Sequence, residues 1–97
     1  AEEEPLDGTV VDLSEGGCCV STRGFALPGE RLGLVASLPE AGDIRARMRV
    51  TFVREPSPGN RNRRLHCEFT DITRADRDTI ARYMMRRQLE MRRRGQL

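Results

Sequence analysis

The chain has 97 residues, of which 33% are charged and 37% hydrophobic, and its formal net charge is +2. This length suits one domain with one small core, and no apolar run approaches the roughly 20 residues that cross a bilayer. The 17 Lys and Arg positions are all arginine, 15 acidic residues nearly balance them, and aromatic residues make up only 4%. These values argue against a second domain, membrane insertion and a polymeric nucleic-acid partner.

The first part of the chain predicts a tail and three strands. Residues 1–7 are acidic and contain a proline, and we interpret them as a tail or the end of a linker. Residues 9–13 and 18–22 are short β-type runs on either side of a glycine-containing turn, which predicts a hairpin. After a loop with a Pro-Gly turn signal, residues 32–38 carry apolar side chains at every second position, the pattern of a third strand.

The clearest strand covers residues 43–54, in which apolar and polar side chains alternate strictly as far as Phe52. Such alternation predicts a half-buried antiparallel strand with one face toward the core. A turn at residues 56–60 separates it from a fifth strand over residues 63–69, in which Leu65, Cys67 and Phe69 are expected to point inward. In the fourth strand the predicted inward residues are Ile44, Ala46, Met48, Val50 and Phe52, and the outward stripe Arg45, Arg47 and Arg49 is typical of a solvent face.

The periodicity changes after residue 70, and residues 71–94 predict one helix of about twenty residues. Thr73 followed three residues later by Asp76 suggests a capping box at its start. The arginines near its end suit the helix macrodipole, and most of them are expected to form a solvated face. A second face is a candidate docking surface for a protein partner or for a second copy of the chain, and its residues are Ile80, Tyr83, Met84 and Met91.

These elements predict a mainly β fold: a small antiparallel β-barrel with five visible strands, followed by one C-terminal α-helix. Residues 8–70 are assigned to the barrel and residues 71–95 to a helix of the same domain. An incomplete barrel leaves an exposed edge, which proteins usually avoid. The odd number of strands therefore predicts a further strand upstream of Ala1 that this chain does not include.

Residues that build catalytic and metal sites are few. Three cysteines without a secretory spacing indicate reduced thiols in a cytosolic protein. Neighbours on a strand point to opposite faces, so the pairs Cys18-Cys19 and His66-Cys67 each offer at most one ligand to a shared site. Without a C-x₂-C spacing, buried structural cysteines are favoured over zinc. The single histidine and the lack of a nucleophile motif argue against an enzyme.

The turn D12-L-S-E-G-G17 joins the first two predicted strands. Asp and Ser favour side-chain-to-backbone turns and Gly tolerates positive φ, so a purely structural turn is the simpler interpretation. The functional alternative is that Asp12 accepts from the N–H edge of a guanine, while Ser14 adds a hydroxyl and Gly17 lets a ligand approach the backbone. Taken alone, these residues leave both interpretations open.

In its context, D12-x-S14-x-x-G17 between two short strands resembles the D/N-x-S-x-x-G motif of PilZ domains, the bacterial cyclic di-GMP receptors. The segment P28-G-E-R-L-G-L-V-A-S-L-P39 is similar to the family's G-x-x-L-x-L-x-L-x-L-P strand, and I80-A-R-Y-M-M-R-R-Q88 is most similar to the terminal helix of the flagellar-brake branch. Two features depart from the family. No Arg precedes Asp12, where the family carries an R-x-x-x-R loop, and His66 stands where the family often has Gly before C-x-F.

The resemblance implies a six-stranded barrel that binds cyclic di-GMP on its outer surface and needs no cofactor. Asp12 would hold a guanine edge, Ser14 would hydrogen-bond beside it, and Gly16 and Gly17 would admit close backbone approach. The implied protein is a cytoplasmic receptor that passes a conformational change to a partner such as the flagellar motor. The missing Arg loop keeps two alternatives open: an adaptor or oligomerisation module that binds no nucleotide, or a regulatory barrel of a polysaccharide synthase.

Overall fold

A computed structural model describes residues 7–94 of the chain. All strand pairs are antiparallel, the order across the sheet is β1-β2-β5-β4-β3, and the sheet curls into a half-barrel that precedes the helix. The predicted fold class is therefore confirmed. The elements are β1 (Gly8–Leu13), β2 (Gly17–Thr22), β3 (Arg31–Leu38), β4 (Gly42–Arg54), β5 (Arg63–Ile72) and α1 (Arg74–Arg93).

The alternation of β4 produces the main core, as the sequence predicts. Met48 and Val50 of β4 are buried together with Leu65 and Cys67 of β5 and Cys18 of β2. Burying an aliphatic side chain of this size stabilises a fold by about 1.5–3 kcal/mol. The polar partners in the alternation, including the three arginines at positions 45, 47 and 49, are exposed on the opposite face. We call that solvent side the outer face of the sheet.

The inward position predicted for Phe52 is wrong. The register of β4 against β5 shifts between Val50 and Phe52, which marks a β-bulge. Because a one-residue shift moves every later side chain to the other face, Phe52 points outward and is 54% exposed. Its ring lies 5.4 Å from the ring of His66, and Val53 takes the inward place opposite Leu65.

The start of α1 is fixed by its own cap and by the sheet. Thr73 is the N-cap, and its Oγ1 accepts a hydrogen bond from the backbone N–H of Asp76 at 3.1 Å. The Asp76 carboxylate does not complete the capping box. Its Oδ2 instead accepts from the backbone N–H of Arg45 at 3.2 Å, so it joins the first helical turn to β4.

The first half of α1 packs on the sheet and builds a second core. Ile80 has no exposed surface and lies against Leu38 and Ile44, with Tyr83 and Met84 packed at the margin. The last turns of the helix extend past this contact. The apolar side chains they expose to solvent are Met85, Leu89 and Met91.

The element boundaries differ slightly from those predicted. β5 continues past residue 70 to Ile72, and α1 begins at Arg74. Most of the tail predicted over residues 1–7 lies outside the described residues, as does the helix end predicted at residue 95. Asp7 is described, and its backbone carbonyl accepts a hydrogen bond from Thr22 Oγ1 at 2.7 Å.

Strands β1 and β3 form the two edges of the sheet and border one groove of about 920 Å³. Tyr83 and Met84 of the helix also line this groove. Among residues 7–94, no helix combines the length and apolar character that a membrane span requires.

Candidate functional site

The turn between β1 and β2 is closed by its own polar groups. The backbone N–H of Ser14 donates to the carbonyl of Gly17 at 2.9 Å, and Ser14 Oγ donates to the same carbonyl at 3.3 Å. The N–H of Gly16 donates to Ser14 Oγ at 3.3 Å. The carbonyl of Gly16 accepts from the N–H of Phe69 at 2.8 Å, so the turn is also bound to the end of β5. The structural role expected of this sequence is therefore present.

Asp12 is exposed on the outer face just before the turn. The register of β1 against β2 shifts between Val10 and Asp12, and this bulge places Asp12 opposite Cys19. Asp12 Oδ1 accepts from the N–H of Leu13 at 2.9 Å, which orients the carboxylate. No donor among residues 7–94 is bonded to Oδ2, so this oxygen can accept a hydrogen bond from a ligand.

The two glycines of the turn differ in their surroundings. Gly17 is buried, and a Cβ there would overlap the carbonyl oxygen of Cys67 and lie 3.0 Å from the Cα of Glu68. The close backbone approach at Gly17 is thus an approach to β5. A Cβ at Gly16 would meet nothing within 4 Å. Of the two predicted glycine positions, Gly16 is the one with open space for a ligand.

The turn borders a shallow cleft of about 310 Å³ on the outer face. The registers of β1, β2, β5 and β4 align four of its neighbouring side chains in one row: Asp12, Cys19, His66 and Phe52. Cys19 Sγ lies 3.8 Å from His66 Nε2, and the Phe52 and His66 rings are tilted by 59°. The cleft therefore combines a carboxylate, a thiol and an imidazole next to exposed backbone, and the Phe52 ring lies beside it against His66.

The adjacent cysteine and histidine pairs do split between the two faces. Cys18 and Cys67 lie opposite each other on the core side, where burial raises the pKa of the Cys18 thiol to about 12 and that of Cys67 to about 11. Burial also raises the pKa of the Cys19 thiol. The positive charge of Arg64 opposes this rise most strongly, the negative charge of Asp12 adds to it, and Arg54 opposes it more weakly. Within residues 7–94, no group of three or more His, Cys, Asp or Glu side chains has the arrangement of a metal site.

The outward arginines fall into two groups. In the stripe at positions 45, 47 and 49, Arg49 forms an ion pair with Glu68, and Arg47 lies opposite Asp71. Arg54 and Arg64 lie opposite each other at the other end of β4 and β5. This second group, like His66 and Phe52, was not among the predicted site residues. The signal in the sequence was limited to His66, which occupies a position where a glycine was expected.

The four residues predicted to dock a partner occupy different environments. Ile80 is completely buried between the helix and the sheet, so this side chain is not available to a partner in the described structure. Tyr83 and Met84 are half-buried at the edge of the same contact. Met91 is 61% exposed. Docking through the helix stays a prediction, and its accessible part lies toward the end of the helix.

The part of the chain that forms the curled antiparallel sheet and most of the terminal helix matches a known domain family. Residues 1–86 match the PilZ domain family. The chain belongs to the PilZ domain family. The sequence-based identification of this family is thus confirmed.

Two solved structures resemble the chain. One is K. pneumoniae MrkH in its apo state, with 22% identity and a TM-score of 0.76 over 90% of this chain and 42% of that chain. The other is the Bacillus subtilis inhibitor of motility MotI/DgrA, with 29% identity and a TM-score of 0.69 over 80% of this chain and 39% of that one. The chain thus spans about two fifths of each of these structures. No curated protein matches it.

Proposed function

We propose that this PilZ domain is a cytoplasmic receptor for cyclic di-GMP that controls motility by passing a conformational change to a protein partner, such as the flagellar motor. The observation that carries the proposal is the exposed Asp12 carboxylate, held beside the open Gly16 backbone in a family member with the D-x-S-x-x-G turn. The likeness to an inhibitor of motility supports the choice of pathway.

The turn is suited to recognise a guanine edge. The N1–H and N2–H donors of guanine lie side by side, and a carboxylate can accept from both. The hydrogen bond from Leu13 holds the Asp12 carboxylate in place before a ligand arrives, so less conformational entropy is lost on binding. The open space at Gly16 lets a base or ribose approach the backbone without a steric clash.

A short path connects this turn to the helix. The Gly16 carbonyl is bonded to Phe69 in β5, and that strand ends at Ile72 directly before the N-cap Thr73. A ligand that favours one geometry of the turn therefore acts on the strand that leads into α1. Because a ligand shifts a conformational equilibrium only by its differential affinity, this coupling requires tighter binding to one of the two turn geometries.

Isothermal calorimetry with cyclic di-GMP tests the assignment on the full-length protein. We expect Asp12→Ala to weaken binding about tenfold or more, equivalent to about 1.4 kcal/mol. The matched control is Asp78→Ala, which removes an exposed carboxylate from the helix. Equal affinities of Asp12→Ala and the wild type would show that Asp12 does not bind the nucleotide. A wild-type protein that gives no heat of binding would refute the receptor function.

The exposed end of the helix favours a second candidate function, an adaptor that associates through α1 without nucleotide. Met85 and Met91 are 63% and 61% exposed, and Leu89 lies between them. In this case the protein gives no heat with cyclic di-GMP and associates in a concentration-dependent manner in sedimentation velocity. Leu89→Asp should abolish that association, whereas Gln88→Glu should preserve it. A monomeric wild type at all concentrations would contradict self-association.

A further inference from the structure

The proposed ligand is an anion, but the turn that would hold its base is acidic. Asp12 and Glu15 both belong to the turn, and the nearby Arg49 is already paired with Glu68. An anionic dinucleotide at Asp12 would meet net repulsion unless arginines supply positive charge from another element. The outer face of the sheet therefore has to be searched for cations that remain available beside the turn.

Arg54 of β4 and Arg64 of β5 meet this requirement. Both are exposed, they are direct cross-strand partners, and no ion pair within residues 7–94 joins either of them to a carboxylate. The nearest acid in sequence, Glu55, is bonded to Arg63 at 2.9 Å. Like charges directly opposite each other destabilise a sheet, so this pair costs folding stability that a bound anion would recover.

The pair lies on the same surface as the turn. Arg64 is opposite Ser21, two positions along β2 from Cys19, which is itself opposite Asp12. Strand spacing and rise then put the Cα atoms of Asp12 and Arg64 about 12 Å apart. Arg54 is opposite Arg64 on this face, so both guanidinium groups share the outer face with the Asp12 carboxylate.

An aromatic pair lies between the turn and the arginines. The Phe52 and His66 rings are 5.4 Å apart and line the route along β4 and β5 from the cleft to Arg54 and Arg64. Phe52 is exposed only because the bulge turns it outward. An outward aromatic ring next to two available guanidinium groups matches what a nucleotide requires, a surface on which a base stacks and donors that hold phosphate.

We propose that Arg54 and Arg64 hold the phosphates of the dinucleotide on the outer face of the sheet, with the Phe52–His66 rings packed against one of its bases. This inference rests on the proposed receptor function, and it adds a subsite formed by residues of β4 and β5. Guanidinium groups suit this role because they form paired, charge-assisted hydrogen bonds with phosphate oxygens.

Calorimetry with cyclic di-GMP on full-length Arg54→Gln and Arg64→Gln proteins tests the subsite. We expect each substitution to weaken binding about tenfold, because each removes charge-assisted hydrogen bonds to phosphate. The matched control is Arg47→Gln, an exposed outward position in the first half of β4, opposite Asp71 and away from Arg54. This control should stay within about twofold of the wild type, as expected for an exposed surface charge.

Thermal unfolding without ligand separates a binding role from a structural one. Since Arg64→Gln removes like-charge repulsion, its unfolding temperature should equal or exceed that of the wild type. A lower temperature would show that Arg64 serves the fold and would overturn the inference. Wild-type binding that Asp12→Ala weakens and both arginine variants leave unchanged would overturn the subsite alone. A wild type that does not bind would overturn the receptor function and the subsite together.

Discussion

Substituting the two glycines of the turn should separate a structural position from a ligand-facing one. In Gly17→Ala, the new Cβ overlaps the carbonyl oxygen of Cys67 and lies 3.0 Å from the Cα of Glu68, so β2 and β5 must move apart. Overpacking of this kind costs about 1–3 kcal/mol, against a gain of about 0.4–1 kcal/mol from the stiffer unfolded chain. We expect a net loss of about 1–2 kcal/mol for Gly17→Ala.

Gly16→Ala is the matched substitution in open space, at a backbone conformation outside the left-handed region. It should leave the free energy of unfolding unchanged or raise it by up to about 1 kcal/mol. Urea unfolding at constant pH measures both variants, and thermal scans should show a shift of about 4–8 °C for each kcal/mol. If Gly17→Ala is as stable as Gly16→Ala, the close contact between β2 and β5 is not what requires glycine at position 17.

Two further predictions concern the cores. Ile80→Ala removes a side chain that is completely buried between helix and sheet, so it should lower the free energy of unfolding in urea by about 2–5 kcal/mol. The control Met91→Ala, at an exposed position, should change the free energy of unfolding by less than about 0.5 kcal/mol. Equal effects of the two substitutions would refute the packing of the helix on the sheet. Burial raises the pKa of Cys18 and Cys67 to about 12 and about 11, so both should resist iodoacetamide at pH 8 in the native protein and react in urea. Because these pKa values are higher in the folded than in the unfolded state, the stability that the two thiols contribute is complete below about pH 8.5 and is lost as the pH rises through 11 to 12. Rapid alkylation of Cys18 or Cys67 in the native protein would contradict their burial.

The strands and the turn could be predicted because their signals are local. Alternation in β4 identifies its buried face, and the side chains of Asp12, Ser14 and the glycines specify the turn within six residues. At Phe52 the local pattern no longer identifies the buried face of β4. The alternation ends where Val53 directly follows Phe52, and which of these two apolar residues faces inward is decided by the bulge in the pairing with β5.

The candidate site was predicted only in part for the same reason. Asp12 belongs to a recognisable motif, whereas Arg54, Arg64 and His66 come together through the registers of β5 with β2 and with β4. An arginine that alternates with apolar residues in a strand predicts only a solvent face. Whether its charge is paired depends on a neighbouring strand, as the contrast between Arg49 and Arg54 shows.

The position of β5 also determines when the domain can fold during synthesis. The hairpins β1–β2 and β3–β4 form from nearby residues, yet within residues 7–94 they share no strand pairing, because β5 lies between them. A two-stranded hairpin is marginally stable in water, and chains emerge from the ribosome with the N-terminus first. Until Arg63–Ile72 has emerged, the nascent chain therefore exposes two apolar half-sheets, and insertion of this last strand completes the main core of the sheet in one late step.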